Sequence, residues 1–211
     1  MSQNAIPAPD VAGRIAAQTL AKRGADYASE VRRLLDAALE LIRSNGTSAR
    51  PRVADIVAAA GLSNDAFYRH FPSKDALVAA LVEDGTERLA SYLAHQMGKE
   101  VEPAGQIRRW MEGVLSQAEG DIAATTLAVL WNGSGVAAGS RPDAASAVGA
   151  LLVEPLRRLG SAHPRLDASL VAHAALGKMS EYLATGGGPA PGEVEHMVEL
   201  FLRGAAPPGV S

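Results

Sequence analysis

Residues 52–74 read RVADIVAAAGLSNDAFYRHFPSK, and this stretch decides the fold. The apolar residues between Val53 and Ala60 recur at the three- and four-residue spacing of one helix face. Gly61 can end this helix, because glycine adopts the left-handed conformation at a helix C-terminus without steric cost. The stretch therefore begins with a short amphipathic helix that stops at a glycine turn.

A second, shorter helix follows the turn. Ser63 is a good N-cap residue for it, and Phe67 and Phe71 lie four residues apart on one of its faces. Pro72 ends it before a third helix that begins near Lys74. Two short helices joined in this way form a helix-turn-helix, whose second helix can enter the major groove of DNA. An ordinary helical hairpin is the alternative, but the polar groups of the second helix suit phosphates and base edges.

The stretch from Ala60 to Leu77, AGLSNDAFYRHFPSKDAL, resembles the DNA-binding signature of the TetR family of transcriptional regulators. The family pattern is approximately A-G-V-S-x-G-x-L/F-Y-x-H/Y-F-x-S/N-K-x-x-L. This chain matches it at Ala60, Gly61, Ser63, Phe67, Tyr68, His70, Phe71, Ser73, Lys74 and Leu77. The resemblance covers about 50 residues, from Val31 to Leu81. The rest of the chain is similar to the family only in length and helical pattern.

Two positions depart from the family pattern. Arg52 stands where the family usually has a threonine that caps the first helix and touches a phosphate, and a nearby Arg50 adds a second charge. Asp65 stands where the family usually has Gly or Pro; it can interact with the helix dipole or accept a hydrogen bond from a cytosine amino group. These departures affect the expected operator sequence more than the expected fold.

The resemblance and the residue types together give a predicted set of DNA contacts. We expect Tyr68, His70 and Lys74 to contact phosphates, with help from Arg52. We expect the remaining polar and small positions of the second helix to face base edges. The complete predicted set is Arg52, Ser63, Asn64, Asp65, Ala66, Tyr68, Arg69, His70 and Lys74.

Composition points to packed helices and gives no sign of a catalytic or metal site. Apolar residues make up 47% of the 211, aromatic residues only 4%, and cysteine is absent. No short metal-binding histidine spacing and no nucleophile elbow occur, so we predict no enzyme activity, no metal and no cofactor. With no membrane span and no secretory signal in the sequence, we expect a cytoplasmic protein.

Charge is distributed unevenly along the chain. Residues 1–80 contain 10 Lys and Arg and 8 Asp and Glu, whereas residues 81–211 contain 10 and 15, so the halves carry net charges of +2 and −5. The asymmetry has the sign expected of an N-terminal DNA-binding part. Basic residues at 14, 22 and 23 make residues 1–25 either an arm that reaches DNA or a solvated extension.

The periodic pattern predicts an all-α, two-part protein. A short helix from Asp10 should end at Gly24 and be followed by a separate helix over residues 27–44. Beyond the helix-turn-helix we expect a long helix from Lys74 to Met97 with a bend at Gly85, and a kink or break at Pro155. The predicted regions are a flexible or partly helical extension (1–25), a helix-turn-helix DNA-binding domain (26–75), an effector-binding and dimerisation domain (76–204) and a disordered tail (205–211).

Function in the second part is inferred mainly from the resemblance. It implies that the helices at 166–185 and 193–203 join their copies in a second subunit; packing within one subunit is the alternative. It also implies a cavity for a small apolar effector, for which the candidate residues are Trp110, Met111, Trp131, His173, Met179 and Tyr182. Filling a core is the alternative for each of them.

These inferences combine into a ligand-responsive, sequence-specific regulator that binds a double-stranded DNA operator as a homodimer. A repressor released by its effector is the most frequent form in the resembling family. Two competing classes remain. One is an all-α ligand-binding or enzymatic protein with a vestigial helix-turn-helix, which Asp65 favours. The other is a DNA coater with little sequence preference.

Overall fold

The computed structural model describes residues 10–134 and 143–205, and all regular structure within these ranges is helical. The α-helices of these ranges are α1 (Val11–Asn45), α2 (Val53–Ala60), α3 (Asn64–His70), α4 (Lys74–Met97), α5 (Pro103–Leu115), α6 (Gly120–Gly133), α7 (Ala144–Gly149), α8 (Val153–Arg158), α9 (Pro164–Thr185) and α10 (Glu193–Ala205). Short 3₁₀ turns at Ser116–Ala118 and Ala150–Leu152 follow α5 and α7. The all-α prediction is confirmed.

The first helix is longer than the sequence predicts. Asp10 caps it by accepting a hydrogen bond of 2.7 Å from the backbone N–H of Gly13, and the helix then runs without a break for 35 residues. The prediction of a helix end at Gly24 is wrong. An interior glycine costs a helix only about 1 kcal/mol relative to alanine, and the long flanking helical segments outweigh that cost. Almost all residues before Glu30 are exposed to solvent, so the first half of α1 projects from the rest of the protein.

Later helix boundaries agree closely with the sequence pattern. The long helix α4 runs from Lys74 to Met97 as predicted, and Gly85 does not interrupt it. The predicted break at Pro155 is also confirmed, because α7 passes through a 3₁₀ turn into the separate helix α8. Pro155 occupies the first turn of α8, where its missing N–H would have no helical partner.

The buried apolar residues form two clusters, one for each part of the chain. The N-terminal cluster holds α1, α2 and α3 together and is centred on Leu34, Ile56 and Phe67. The C-terminal cluster fills the space between α4, α5 and α7 to α10. The N-terminal cluster also contains Leu81 of α4 and the fully buried Ala128 of α6. The helix-turn-helix is therefore packed directly against helices of the C-terminal part.

Polar contacts reinforce this connection between the two parts. Asp84 of α4 pairs with Arg32 of α1 at 2.9 Å and with Arg88 at 2.8 Å. In the loop before α2, the Arg50 guanidinium lies 4.9 Å from the centre of the Trp131 ring on α6 and donates to that residue's carbonyl oxygen at 3.4 Å. Arg50 thus faces α6. This position does not support the expectation that Arg50 adds a second positive charge beside Arg52 for contact with DNA.

Some expectations lie outside the described residues. These are the part of the predicted extension at residues 1–9 and the part of the predicted tail at residues 206–211. Among the helices of the described ranges, none has both the length and the apolar character needed to cross a bilayer.

Candidate nucleic-acid interface

The turn between α2 and α3 is fixed by its backbone and by one arginine. Gly61 adopts the left-handed conformation (φ 62°, ψ 38°), and the N–H of Leu62 closes the end of α2 by donating to the Val57 carbonyl at 2.9 Å. Arg33 of α1 donates to the carbonyl oxygens of Ala60 at 2.5 Å and Gly61 at 3.0 Å. A guanidinium at this helix C-terminus satisfies carbonyls that otherwise lack partners and complements the helix dipole.

The start of α3 is capped as the sequence predicts. The Ser63 hydroxyl accepts a hydrogen bond of 3.1 Å from the backbone N–H of Ala66. Ser73 caps α4 in the same way, accepting from the N–H of Ala76 at 3.1 Å. These caps set where α3 begins and where the chain turns away after it. The recognition helix between them has only seven residues.

α3 has a buried side and an exposed side. Phe67 is completely buried and its ring centre lies 5.9 Å from that of Phe71, which anchors the helix on the N-terminal cluster. The exposed residues are Asn64, Asp65, Tyr68 and Arg69. At about 100° per residue these four occupy roughly 140° of the helix circumference. They form a single polar surface, the exposed arc of α3.

Two predicted DNA contacts are wrong. Ala66 is 3% exposed and packs inside, so it cannot face a base edge. The His70 side chain is 1% exposed, and its Nε2 lies 2.6 Å from a carboxylate oxygen of Glu30 on α1. His70 is therefore occupied inside the protein and is not free to contact a phosphate. Both residues lie on the same side of α3 as Phe67, and this side faces the core.

The remaining predicted contacts are available at the surface. Arg52 precedes α2 with 87% of its side chain exposed, and it faces Asp55 at 3.7 Å. Tyr68 is 58% exposed. Lys74 is half-buried at the first position of α4, close in sequence to the end of α3. These side chains can supply donors on either side of the exposed arc, where backbone phosphates flank a groove.

Sequence reasoning missed three residues of α1 that support this interface: Tyr27, Glu30 and Arg33. The Tyr27 ring packs edge-on against the His70 ring at a centroid distance of 4.2 Å. His70 and Arg69 both approach Glu30, which holds the pKa of that carboxyl below its usual value, chiefly through the His70 hydrogen bond. A signal existed: Tyr27 and Glu30 continue the buried face of Leu34 towards the N-terminus at helical spacing.

The predicted effector residues do not line one cavity. Four of them, Trp110, Met111, Met179 and Tyr182, are buried in the C-terminal cluster and fill it. The Trp110 indole N–H, for example, donates to the Val148 carbonyl at 2.9 Å. Trp131 lies instead beside Arg50, at the contact between the two parts. The predicted residues are thus divided between a core, the contact between the two parts and the edge of a separate cavity, so the structure does not bring them together in one place.

Two open cavities occur elsewhere in the C-terminal part. One of about 490 Å³ lies between α7 and α9, and Asp143, Arg165 and His173 are among the residues that line it. His173 is the only predicted effector residue that lines either of these two cavities. The other, of about 300 Å³, lies between α4, α5 and the start of α10, and it includes Tyr92 and Gln96 of α4. Within the described ranges, no group of three or more acidic or histidine side chains could hold a metal ion.

Comparison with known proteins supports the helix-turn-helix assignment. Residues 34–81 match the family model described as bacterial regulatory proteins, tetR family. The nucleoid occlusion factor SlmA of Vibrio cholerae is 34% identical over 86 residues, which are 41% of this chain. The chain spans 44% of the length of that curated relative.

Solved structures of similar fold cover most of the chain. A protein described as a transcriptional regulator from Pseudomonas aeruginosa PAO1 has a TM-score of 0.63 at 22% identity, covering 82% of this chain and 88% of its own. RolR in complex with resorcinol has a TM-score of 0.60 at 18% identity, covering 85% and 89%. A TetR-family regulator from Mesorhizobium loti has a TM-score of 0.60 at 16% identity, covering 85% and 96%. At these identities the likeness shows a shared fold.

Proposed function

We propose that this chain is a regulator of the TetR family and that it represses transcription by binding a specific DNA operator as a homodimer. The observation that carries the proposal is the exposed arc of α3. Its four polar side chains face solvent while Phe67 anchors the opposite side. A helix held in this way presents base-reading groups at fixed positions, which a mobile helix would not do.

In the proposed complex, different residues contact the bases and the phosphates. Asn64, Asp65 and Arg69 read base edges in the major groove, while Tyr68, Arg52 and Lys74 contact phosphates on either side. Two copies of α3 read two half-sites spaced by about 34 Å, one turn of DNA. We keep residues 26–75 as the DNA-binding domain and 76–204 as the effector-binding and dimerisation domain.

The experiment that tests this function is selection from a randomised duplex library at near-physiological salt. The full chain is incubated with the library and the bound DNA is sequenced. A two-fold symmetric motif is the expected result. If no sequence is enriched by folded, dimeric protein, the vestigial helix-turn-helix class is favoured. Tight binding with strong salt dependence but no enrichment favours a DNA coater.

Asn64 tests the base-reading role of the exposed arc. We expect Asn64→Ala to relax the preference at one or two base pairs of the selected motif, because a well-formed hydrogen-bonded pair with a base edge contributes about 1–3 kcal/mol of discrimination. The measurement repeats the library selection with the variant and compares base preference position by position. A variant that selects the wild-type motif with undiminished preference at every position contradicts this role.

Tyr68 tests the phosphate-contacting role. We expect Tyr68→Ala and Tyr68→Phe to weaken binding to all duplexes by a similar factor, because a phosphate contact carries no sequence information. Titration of one selected and one unrelated duplex measures this. Tyr68→Phe keeps the ring and removes only the hydroxyl, so wild-type affinity in this variant would assign the contribution of Tyr68 to packing.

For the effector we favour the cavity between α4 and α5. Tyr92 and Gln96 lie on α4, the helix that continues directly from the helix-turn-helix, so a ligand there can change the position of α4 relative to α1. Arg109 and Glu112 also line this cavity, which suits a small ligand with polar groups. RolR, a protein of the same fold, holds resorcinol. An effector that binds the altered state more tightly lowers operator affinity to the same degree.

A variant that fills the cavity tests this site. Candidate effectors are first found by their ability to release the wild-type protein from the selected operator. Gln96→Trp should then bind the operator normally and no longer respond to the effector. A variant that is released by the effector at wild-type concentrations would exclude this cavity.

A further inference from the structure

Glu30 connects α1 to the recognition helix at two points. One of its carboxylate oxygens lies 2.6 Å from Nε2 of His70 and 3.8 Å from a guanidinium nitrogen of Arg69. His70 is buried behind α3, whereas 59% of the Arg69 side chain is exposed on the front. A single carboxylate thus contacts both the buried and the exposed side of the helix.

The surroundings of the two His70 ring nitrogens indicate which group is the donor in its hydrogen bond with Glu30. Its other ring nitrogen, Nδ1, is buried and has no hydrogen-bond partner among the described residues. A buried N–H without an acceptor would be costly, so we assign the ring proton to Nε2, where it donates to Glu30. The Tyr27 ring packs against the imidazole and restricts its rotation. Glu30 is therefore the one hydrogen-bond partner that His70 has in the described structure.

The second contact of Glu30, with Arg69, limits where a long, positively charged side chain can lie. Arg69 lies on the exposed arc, and an unrestrained guanidinium there could reach many phosphates regardless of sequence. The Glu30 carboxylate limits the positions that Arg69 can take and partly offsets its charge. The hydrogen bond from His70 and the nearby positive charge of Arg69 hold the pKa of the Glu30 carboxyl below its usual value.

We propose that Glu30 is a positioning residue for specificity: it orients α3 through His70 and restrains Arg69, so that the protein discriminates its operator from unrelated DNA. This inference rests on the proposed function. In this proposal Glu30 does not contact DNA itself. Its effect should therefore be on the ratio of specific to non-specific affinity, which a purely structural role would leave unchanged in the folded protein.

The test compares Glu30→Gln with Glu40→Gln in the full chain. Glu40 lies on the same helix, is 73% exposed and, within the described ranges, is paired only with Arg43 at 3.7 Å, so its variant controls for loss of one negative charge. Dissociation constants are measured for the selected operator and for an unrelated duplex of equal length. We expect Glu30→Gln to lower the ratio of the two affinities about tenfold, and Glu40→Gln to leave it at the wild-type value.

Histidine variants test the path through His70. His70→Gln keeps an N–H that can donate to Glu30 and should retain most of the specificity, whereas His70→Leu should lose about as much as Glu30→Gln. The double variant Glu30→Gln/His70→Leu should lose less than the sum of the two single losses, because both remove one interaction. Equal affinity ratios in Glu30→Gln and Glu40→Gln, or full additivity in the double variant, would overturn the proposal.

A spectroscopic measurement separates this proposal from the proposed function. Imidazole ¹⁵N chemical shifts of the free protein report which ring nitrogen carries the proton, without any DNA. We expect the Nε2–H form for His70 in the wild type. In Glu30→Gln we expect the same form with a weaker hydrogen bond at Nε2, because a neutral amide oxygen is a poorer acceptor than a carboxylate. If the shifts agree but the wild type enriches no sequence, the proposed function fails and the specificity role fails with it. If the wild type is specific but His70 is not in the Nε2–H form, only the positioning proposal is overturned.

Discussion

At the residue scale, the turn of the helix-turn-helix depends on Gly61 for two reasons. Its φ of 62° is a conformation that other L-residues adopt at a cost. A Cβ atom built there would also lie 3.0 Å from the guanidinium of Arg33. That guanidinium is the group that donates to the carbonyls of Ala60 and Gly61. A side chain at position 61 therefore strains the backbone and disturbs the arginine that caps α2.

We expect Gly61→Ala to lower the free energy of unfolding by about 1–2 kcal/mol. Gly85 is the matched control, because it is helical, exposed and has no atom within 4 Å of an added Cβ. Gly85→Ala should raise the free energy of unfolding by about 0.5–1 kcal/mol. Denaturant titration of both variants measures the changes, and equal signs for the two would contradict this account of the turn.

At the scale of the element, α3 is too short to be stable alone. Seven residues make about two turns, which is well below the length at which isolated helices persist in water. Its position is set by the Ser63 cap and by burial of Phe67. The recognition helix is thus formed by tertiary contacts, and its orientation depends on the residues on its inner side.

The caps explain why the helix boundaries were predictable. Ser63, Gly61 and Ser73 act locally, so their effect can be inferred from the neighbouring sequence. The two faces of α3 were harder to predict. Two turns give too few positions to define an apolar stripe, and both alanine and histidine occur inside and outside proteins. The sequence pattern therefore places Ala66 and His70 on the DNA side, although the structure buries both side chains.

We expect Phe67→Ala to lower the free energy of unfolding by about 3–5 kcal/mol, since it removes a completely buried aromatic ring. Tyr68→Ala is the neighbouring control, and because Tyr68 is 58% exposed it should cost less than about 1 kcal/mol. Thermal or denaturant unfolding measures both. A small effect of Phe67→Ala would mean that α3 is held mainly by its caps and by Glu30.

At the scale of the whole molecule, the two parts are joined by burial as well as by sequence. Ala128 of α6 is fully buried in the N-terminal cluster, and Trp131 of the same helix contacts Arg50 in the loop before α2. The sequence predicts these helices but not this contact. Which residues meet across distant helices depends on crossing angles and helix faces that no local pattern specifies. The same lack of long-range information explains why the predicted effector residues lie in different parts of the structure.

The outer face of α9 is the surface that we propose for the contact between subunits. Leu166 and Leu170 are 58% and 59% exposed there, while Ala172 and Ala175 on the inner face are completely buried. The outer face continues through Gly177, which leaves open space where a side chain would lie. An exposed, weakly charged face with a close-approach position suits a second copy of the same helix, and two copies match the two half-sites of an operator.

We therefore expect Leu170→Glu to convert the proposed dimer to a monomer, because each subunit would bring an uncompensated negative charge to the proposed contact. Ile122 on α6, which is 51% exposed, provides the control, and Ile122→Glu should leave the dimer intact. Sedimentation measures the mass of each variant. The Leu170→Glu monomer should also bind the symmetric operator more weakly but retain affinity for a single half-site. A dimeric Leu170→Glu protein would place the subunit contact away from this face of α9.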